Sequence, residues 1–356
     1  AWGAADIRTA DQARDCSNVW VLKRAECAQS MQDRQAVATL HSPRTERRRL
    51  WKAAIKWPMY SVAVMPLLLA IGWRVGAGLP VRWGQALGFL LAAVLLLLWE
   101  NLSNDLFDAD TGIDSTAKPH SVVALIGRRR PVRRLSTLVL LAGLLLMSLM
   151  ALQSSVSVLA LVLVSCGIGY LYQGPPFRLG YLGLGEPLCW LAFGPFATAA
   201  ALLVVAPAAK AGAWAVVPWD VAFLLGSGPA LATSLVLFCS HFHQVDEDAA
   251  HGKQSPVVRL GTARASALVP WFVAGTLALE WTPVFHGDWP PTALLGALGL
   301  PAAAALIRLL RSHHAEPERI QGSKFLALRF QGLNGLGLSI GLAMGPWFGA
   351  SMAGSV

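Results

Sequence analysis

The sequence predicts an all-α, polytopic membrane protein, with about nine transmembrane helices bundled around a central cavity. Three observations lead there. Of 356 residues, 55% are hydrophobic and only 14% charged, a balance outside the range of soluble domains of this size. Apolar runs of about 20 residues, the length of one bilayer crossing, recur between turns marked by Gly and Pro. Basic residues gather at the ends of these runs rather than inside them. The formal net charge of +9 would also suit nucleic acid. No aromatic-interleaved basic module or zinc-finger spacing accompanies it, so the charge is read as membrane orientation.

In chain order, residues 1–43 are mixed and polar and read as a disordered leader without the apolar core of a secretory signal. Transit peptides are usually poor in acids, and Asp6, Asp11, Asp15, Glu26 and Asp33 occur here, so the leader itself argues only weakly for a plastid. Residues 44–56 are basic with Trp51 and Trp57 interleaved, as expected of a segment at the lipid headgroups. The membrane domain is placed at 57–350 and a short tail at 351–356. Its spans are expected near 57–73, 84–104, 134–152, 155–173, 183–206, 218–241, 265–282, 291–311 and 328–350. Gly76 to Pro80, Gly174-Pro175-Pro176, Pro207, Pro283 and Pro290-Pro291 punctuate them. Helices this apolar need small residues for close approach, and the 33 glycines supply them.

Orientation follows from sorting the 29 Lys and Arg between alternate sides. Twenty-one fall on one side, five in the leader, and only Arg74, Arg82 and Lys210 on the other. The first side is therefore expected to be cytoplasmic, or stromal in a plastid. Cys166, Cys189 and Cys239 lie inside apolar runs, where a thiol is a small packing group. Cys16 and Cys27 lie in the leader, and no CxxC signals a zinc or redox site.

Two polar clusters interrupt the apolar pattern, both on the basic side. The first, Asn104 to Asp114, places Asp105, Asp108, Asp110 and Asp114 at the end of span two. On a helix Asn104 and Asp108 are four apart, and Asp105 and Asp108 three apart, so their oxygens converge on one face. The second runs from Gln244 through Asp246, Glu247 and Asp248 to Lys253. His241, Gln244 and Asp248 share one stripe at the end of span six. Hard cations such as Mg²⁺ take carboxylate oxygens and share their shell with substrate phosphates, so the pattern suggests a metal-bridged phosphate. Lys118, Arg178, Lys253 and Arg259 sit in loops on the same side, within reach of diphosphate oxygens. One acidic run beside a span is often only a solvated loop; two with ligand spacing on one side favour a site.

Other features keep two readings. His241 and His243 could ligate, though an interfacial His more often makes a plain hydrogen bond. The run Arg128 to Arg134 reads as a topology anchor. Glu100 is either a second-layer partner of Asn104 or a group reaching for the mouth, and Glu186 has no evident role. The sequon Asn101-Leu102-Ser103 lies at a membrane mouth and is discounted.

The stretches NLSNDLFDADTGID, HSVV, LYQGPPFRLGYLGLGEP and LFCSHFHQVDEDAAHGKQSPVVRLG resemble the UbiA-type intramembrane aromatic prenyltransferases. Within that superfamily they are similar to the 1,4-dihydroxy-2-naphthoate polyprenyltransferases, especially the cyanobacterial and plastid form that attaches phytyl. The resemblance runs from about residue 57 to 350. It implies that Asn104, Asp105, Asp108 and Asp114, with Asp248 and Asp246 or Gln244, hold Mg²⁺ against a prenyl diphosphate, with Asp105, Asp108 and Asp248 catalytic. It departs from the superfamily twice: the last acid of the first motif falls on Gly112 and arrives at Asp114, and Gln244 replaces an Asp. The implied reaction is attack of the naphthoate ring on the allylic cation, with loss of CO₂. Tyr170, Tyr172 and Phe177 could offer π-faces to that cation, although packing aromatics are commoner. Arg178 is a plausible partner for the diphosphate or the naphthoate carboxylate. The rivals are the same chemistry on homogentisate or a chlorophyllide, and a cation-coupled transporter. Transporters usually place their acids near mid-bilayer on broken helices, unlike these.

Overall fold

The computed structural model describes residues 43–55, 57–111, 121–208 and 211–345. Helix α1 (Pro43–Ile55) belongs to a compact unit separate from the bundle, which begins at Lys56. Pro43 opens it, where the missing N–H costs nothing, and Arg47, Arg48, Arg49 and Lys52 are exposed.

The bundle starts with a 3₁₀ turn at Trp57–Tyr60 and α2 (Ser61–Gly76). Then come α3 (Trp83–Thr111), the short α4 (Val122–Ile126), α5 (Arg129–Gln153) and α6 (Val156–Gln173). Helix α7 (Gly185–Leu191) runs through a π turn at Ala192–Phe196 into α8 (Ala197–Val205). Pro195 lies in that turn, whose wider ring absorbs its missing donor without ending the span. After α9 (Trp219–His241) come the short α10 (Val245–Ala250) and α11 (Pro256–Leu260), then α12 (Thr262–His286). A 3₁₀ stretch, Pro291–Gly299, leads into α13 (Leu300–His313), and α14 (Ser323–Ala343) closes the bundle. Among the described residues there is no strand, only an isolated bridge between Ser155 and Ala213.

Each of the nine expected spans is met by helix among the described residues, and eight are long and apolar enough to cross a membrane; residues 346–350 of the ninth lie outside the described residues. The most apolar, α5, has just 28% of its central window buried and turns Leu138, Leu141 and Leu145 outward, the stripe a lipid-facing helix needs. By contrast α9 is 72% buried and forms the bundle's centre. The ninth, expected at 328–350, begins five residues earlier and carries Lys324, Arg329, Gln331 and Asn334. Helix α14 is wedged between α2 and the Pro291–Gly299 stretch: a Cβ on Gly337 would stand 2.1 Å from the Leu295 carbonyl oxygen. Such backbone approach needs glycine.

Candidate active site

Helix α3 continues two turns beyond its expected end, so Asn104, Asp105 and Asp108 are helical rather than in a loop. Asp105 is 2% exposed and accepts a 2.9 Å hydrogen bond at Oδ2 from the Val122 N–H at the start of α4. Asp108, 3% exposed, accepts one at Oδ1 from Gln173 Nε2, also 2.9 Å. The Asn104 Oδ1 is buried with no hydrogen-bond partner. Asp110 points the other way and pairs with Arg129 at 2.7 Å, which engages that member of the basic run with the protein itself. Asp114 and Lys118 lie outside the described residues.

The second cluster forms because α9 stops at His241 and the chain turns through Gln244 into α10. The turn returns Asp248, 1% exposed, to His241: Oδ2 lies 3.2 Å from Nδ1. Lys253 folds back through its backbone N–H onto the Asp248 carbonyl and brings Nζ to 3.4 Å from Asp248 Oδ1. The opposite nitrogen of His241 is 3.5 Å from Glu186 Oε1, at the start of α7. Both Glu186 carboxylate oxygens are buried without a hydrogen bond, so the contact with His241 is the electrostatic one that offsets their burial. Gln244 is half-buried and contributes its backbone carbonyl to Asp248 N–H; Asp246 stands exposed on α10. Of the three residues expected on one stripe, the fold joins His241 and Asp248 and leaves Gln244 in the turn between them.

What links the clusters is the segment 174–184, between α6 and α7. It folds back on α6 through Leu179 and Gly180 N–H groups, which donate to the Leu171 and Tyr172 carbonyls. Tyr181 hydrogen-bonds Thr111 at the end of α3, 3.0 Å, while its carbonyl accepts from Gln254 N–H beyond α10. Arg259 donates to the Leu182 carbonyl at 2.8 Å. Arg178 adopts a positive φ of 45° and lies 5.7 Å from the Tyr181 ring centre. Burial raises the Tyr181 hydroxyl pKa, its hydrogen bond to Thr111 opposes this, Asp108 and Asp248 add to the rise, and the charge of Arg178 lowers it. One phenol thus feels an acid from each cluster.

Next to this polar layer is an apolar cavity of about 1350 Å³, counting the open space at its mouth. Asn104 and Tyr172 line it near the acids, and Phe89, Met147 and Phe196 line it deeper. From Asn104 to Phe89 the rise of α3 makes it roughly 22 Å long. Of the three aromatics expected to offer a π-face, Tyr172 lines the cavity. Tyr170 packs edge-on against Phe107 with ring centres 5.4 Å apart, and Phe177 is exposed. Glu100 and Lys324 also line it. Burial and then the charge of Lys324 hold the neighbouring His243 imidazole below its ordinary pKa, against a backbone hydrogen bond to Pro317.

The oxygen donors of Asn104, Asp105, Asp108 and Asp248 suit a hard divalent cation. Among the described residues no group of three or more His, Cys, Asp or Glu gathers closely enough to hold a metal alone. That fits Mg²⁺, which typically takes one or two carboxylates and completes its shell with water and substrate phosphate. Gln173, Tyr181, Glu186 and Lys324 are the residues sequence reasoning missed. Three of them lie in or beside the GPPFRLGYLGLGEP block, whose density of turn residues was the available signal.

An apolar cavity next to a layer of buried carboxylates in a helical bundle defines a membrane protein whose site joins a long apolar space to an acid-rich polar end. The sequence profile of the UbiA prenyltransferase family matches residues 63–330. A 2-carboxy-1,4-naphthoquinone phytyltransferase of Synechocystis sp. is 43% identical over 297 residues, 83% of this chain and 93% of its own. A chloroplastic 2-carboxy-1,4-naphthoquinone phytyltransferase of Arabidopsis thaliana is 39% identical over 313 residues, 83% of this chain and 77% of its own. A solved structure described as a UbiA homolog from Archaeoglobus fulgidus bound to GPP and Mg2+ aligns over 81% of this chain and 99% of its own, at 15% identity and a TM-score of 0.49. This chain belongs to the UbiA prenyltransferase family.

Proposed function

We propose that this protein transfers a prenyl group, phytyl by preference, from its diphosphate to 1,4-dihydroxy-2-naphthoate, with loss of the acceptor's carboxylate. Such a step serves phylloquinone or menaquinone synthesis. The observation that carries the reading is the apolar cavity beside the buried Asp105 and Asp108, in a chain 43% identical to a relative named a 2-carboxy-1,4-naphthoquinone phytyltransferase.

The allylic C–O bond breaks and diphosphate leaves with the electron pair. The ring carbon bearing the carboxylate attacks the allylic carbon, and CO₂ departs, returning its electrons to the ring. Attack on a cation needs an electron-rich ring, which is why the dihydroxy form is the acceptor; a quinone would need two electrons first. Mg²⁺ held by Asn104, Asp105, Asp108 and Asp248, together with Asp114 and Asp246 where they reach it, would neutralise the leaving diphosphate. Asp105 and Asp108 are kept oriented for that task by Val122 and Gln173. Lys253, Arg178, Arg259 and Lys118 are the cations available to the diphosphate from the loops, and Gln244 is a neutral oxygen donor beside them. The cavity wall excludes water from the cation, and Tyr172 offers it a ring face. The charge sorting supports a mouth on the cytoplasmic side of a cyanobacterial membrane or the stromal side of a plastid membrane.

Purified protein supplied with Mg²⁺, competing prenyl diphosphates and each aromatic acceptor in turn tests this by mass analysis of the product. Prenylated, decarboxylated naphthoquinol is expected. Turnover of homogentisate or a chlorophyllide, but not of dihydroxynaphthoate, would overturn the acceptor.

A further inference from the structure

We propose that Lys324 anchors the carboxylate of the aromatic acceptor, an assignment that rests on the acceptor class proposed above. Among the described residues lining the cavity only Glu100 and Lys324 carry formal charge. Asp105, Asp108 and Asp248 do not line it; they belong to the polar layer around Tyr181 and His241. The carboxylates suited to a metal-bound diphosphate stand in the polar layer, while the ammonium of α14 stands, with the Glu100 carboxylate, in the wall of the space where the acceptor ring must meet the prenyl chain.

The placement of Lys324 is fixed by its neighbours. Ser323 is fully buried, and its hydroxyl lies 3.1 Å from His243 Nε2, tying the first turn of α14 to the segment after α9. Phe325, the next residue, is 61% exposed, whereas Lys324 is half-buried and lines the cavity. An ammonium beside apolar walls is strongly drawn to an anion, because the low surrounding dielectric strengthens the pairing. A single carboxylate suits its point charge, whereas a diphosphate presents many oxygens and is served by the loop cations. The pairing also separates substrate from product: once CO₂ has left, the prenylated ring has nothing for Lys324 to hold.

The test uses full-length Lys324→Met and Lys324→Arg in detergent or lipid nanodiscs. Equilibrium binding of dihydroxynaphthoate should weaken roughly 10- to 100-fold in Lys324→Met, the range for losing a charge-assisted hydrogen bond. The KM for this acceptor should rise in parallel while the KM for prenyl diphosphate stays as in wild type, which also reports an intact fold. Lys324→Arg should recover part of the loss. With 1,4-dihydroxynaphthalene, which lacks the carboxylate, wild type and Lys324→Met should bind alike. A raised KM for prenyl diphosphate with acceptor binding unchanged would assign Lys324 to the donor and overturn the proposal. So would an equal loss for both acceptors. If wild type does not turn over dihydroxynaphthoate, the acceptor class fails first, an outcome distinguishable from failure of the anchor alone.

Discussion

Gln173 belongs to the stretch LYQGPPFRLGYLGLGEP without a role that sequence alone suggests, and its amide is the described hydrogen-bond donor to Asp108 Oδ1, at 2.9 Å between buried groups. Gln173→Leu keeps the approximate volume and the helix propensity of the last residue of α6 and removes that donor. A hydrogen bond to an ionised acceptor contributes about 1.5–3 kcal/mol net. At about 1.4 kcal/mol per factor of ten, kcat/KM for prenyl transfer should fall roughly 10- to 150-fold if Asp108 acts only in its held orientation. Gln173→Glu should be worse, because two carboxylates at the same 2.9 Å repel by about 6 kcal/mol at an effective dielectric of 20, more than the bond removed. Initial rates at limiting and saturating Mg²⁺, taken with thermal unfolding of the purified variants, separate lost chemistry from lost fold. A Leu variant within twofold of wild type, or Leu and Glu variants of equal activity, would refute the role of Gln173 in orienting Asp108.

Three further outcomes are expected. Asp248→Asn should cost at least tenfold in rate, since it weakens contacts to His241 and Lys253 at once, and more than Asp246→Asn, on an exposed residue; equal losses in a rate assay would contradict the division. Gly183→Ala meets both a positive φ of 73° and a Cβ only 2.5 Å from the Gln254 carbonyl oxygen. It should destabilise by about 1–3 kcal/mol, read as a lower unfolding midpoint with reduced activity. Leu141→Arg, on the outward stripe of α5, should cost about 3 kcal/mol of membrane insertion, read as loss of the integrated fraction in a membrane-insertion assay.

The spans were legible because period and length are local properties: the expected 218–241 and 155–173 differ from α9 and α6 by one residue at most. The end of α3 was only partly so: helical spacing puts Asn104, Asp105 and Asp108 on one face, but the apolar run ends near 104, and the partners of the two acids, Val122 and Gln173, lie 17 and 65 positions away. The acids of the candidate site could be picked from spacing and side. Their mode of assembly could not, because the segment 174–184, which bonds Thr111 and Gln254 through Tyr181, carries no acid and no ligand spacing. Glu186 shows the same limit. Alone it is an acid in a Gly-rich entry to a span; only the packing of α7 against α9 places His241 3.5 Å from it.

Helix α14 shows what hydropathy measures in such a bundle. It is long enough to span yet falls outside the eight apolar spans, and burial alone does not explain this, because α9 is 72% buried and remains strongly apolar. The difference lies in particular side chains, several of which have a described place. Gln331 Oε1 accepts from Ser61 at the start of α2, and Asn334 donates to Glu280 on α12, 2.8 Å, and to the Gly296 carbonyl. Lys324 lines the cavity. Polar residues at membrane depth persist where protein rather than lipid surrounds them. The low hydropathy of α14 is therefore a record of its contacts: it ties α2, α12 and the 3₁₀ stretch together, and at its first turn it brings the one cation found in the cavity's described lining.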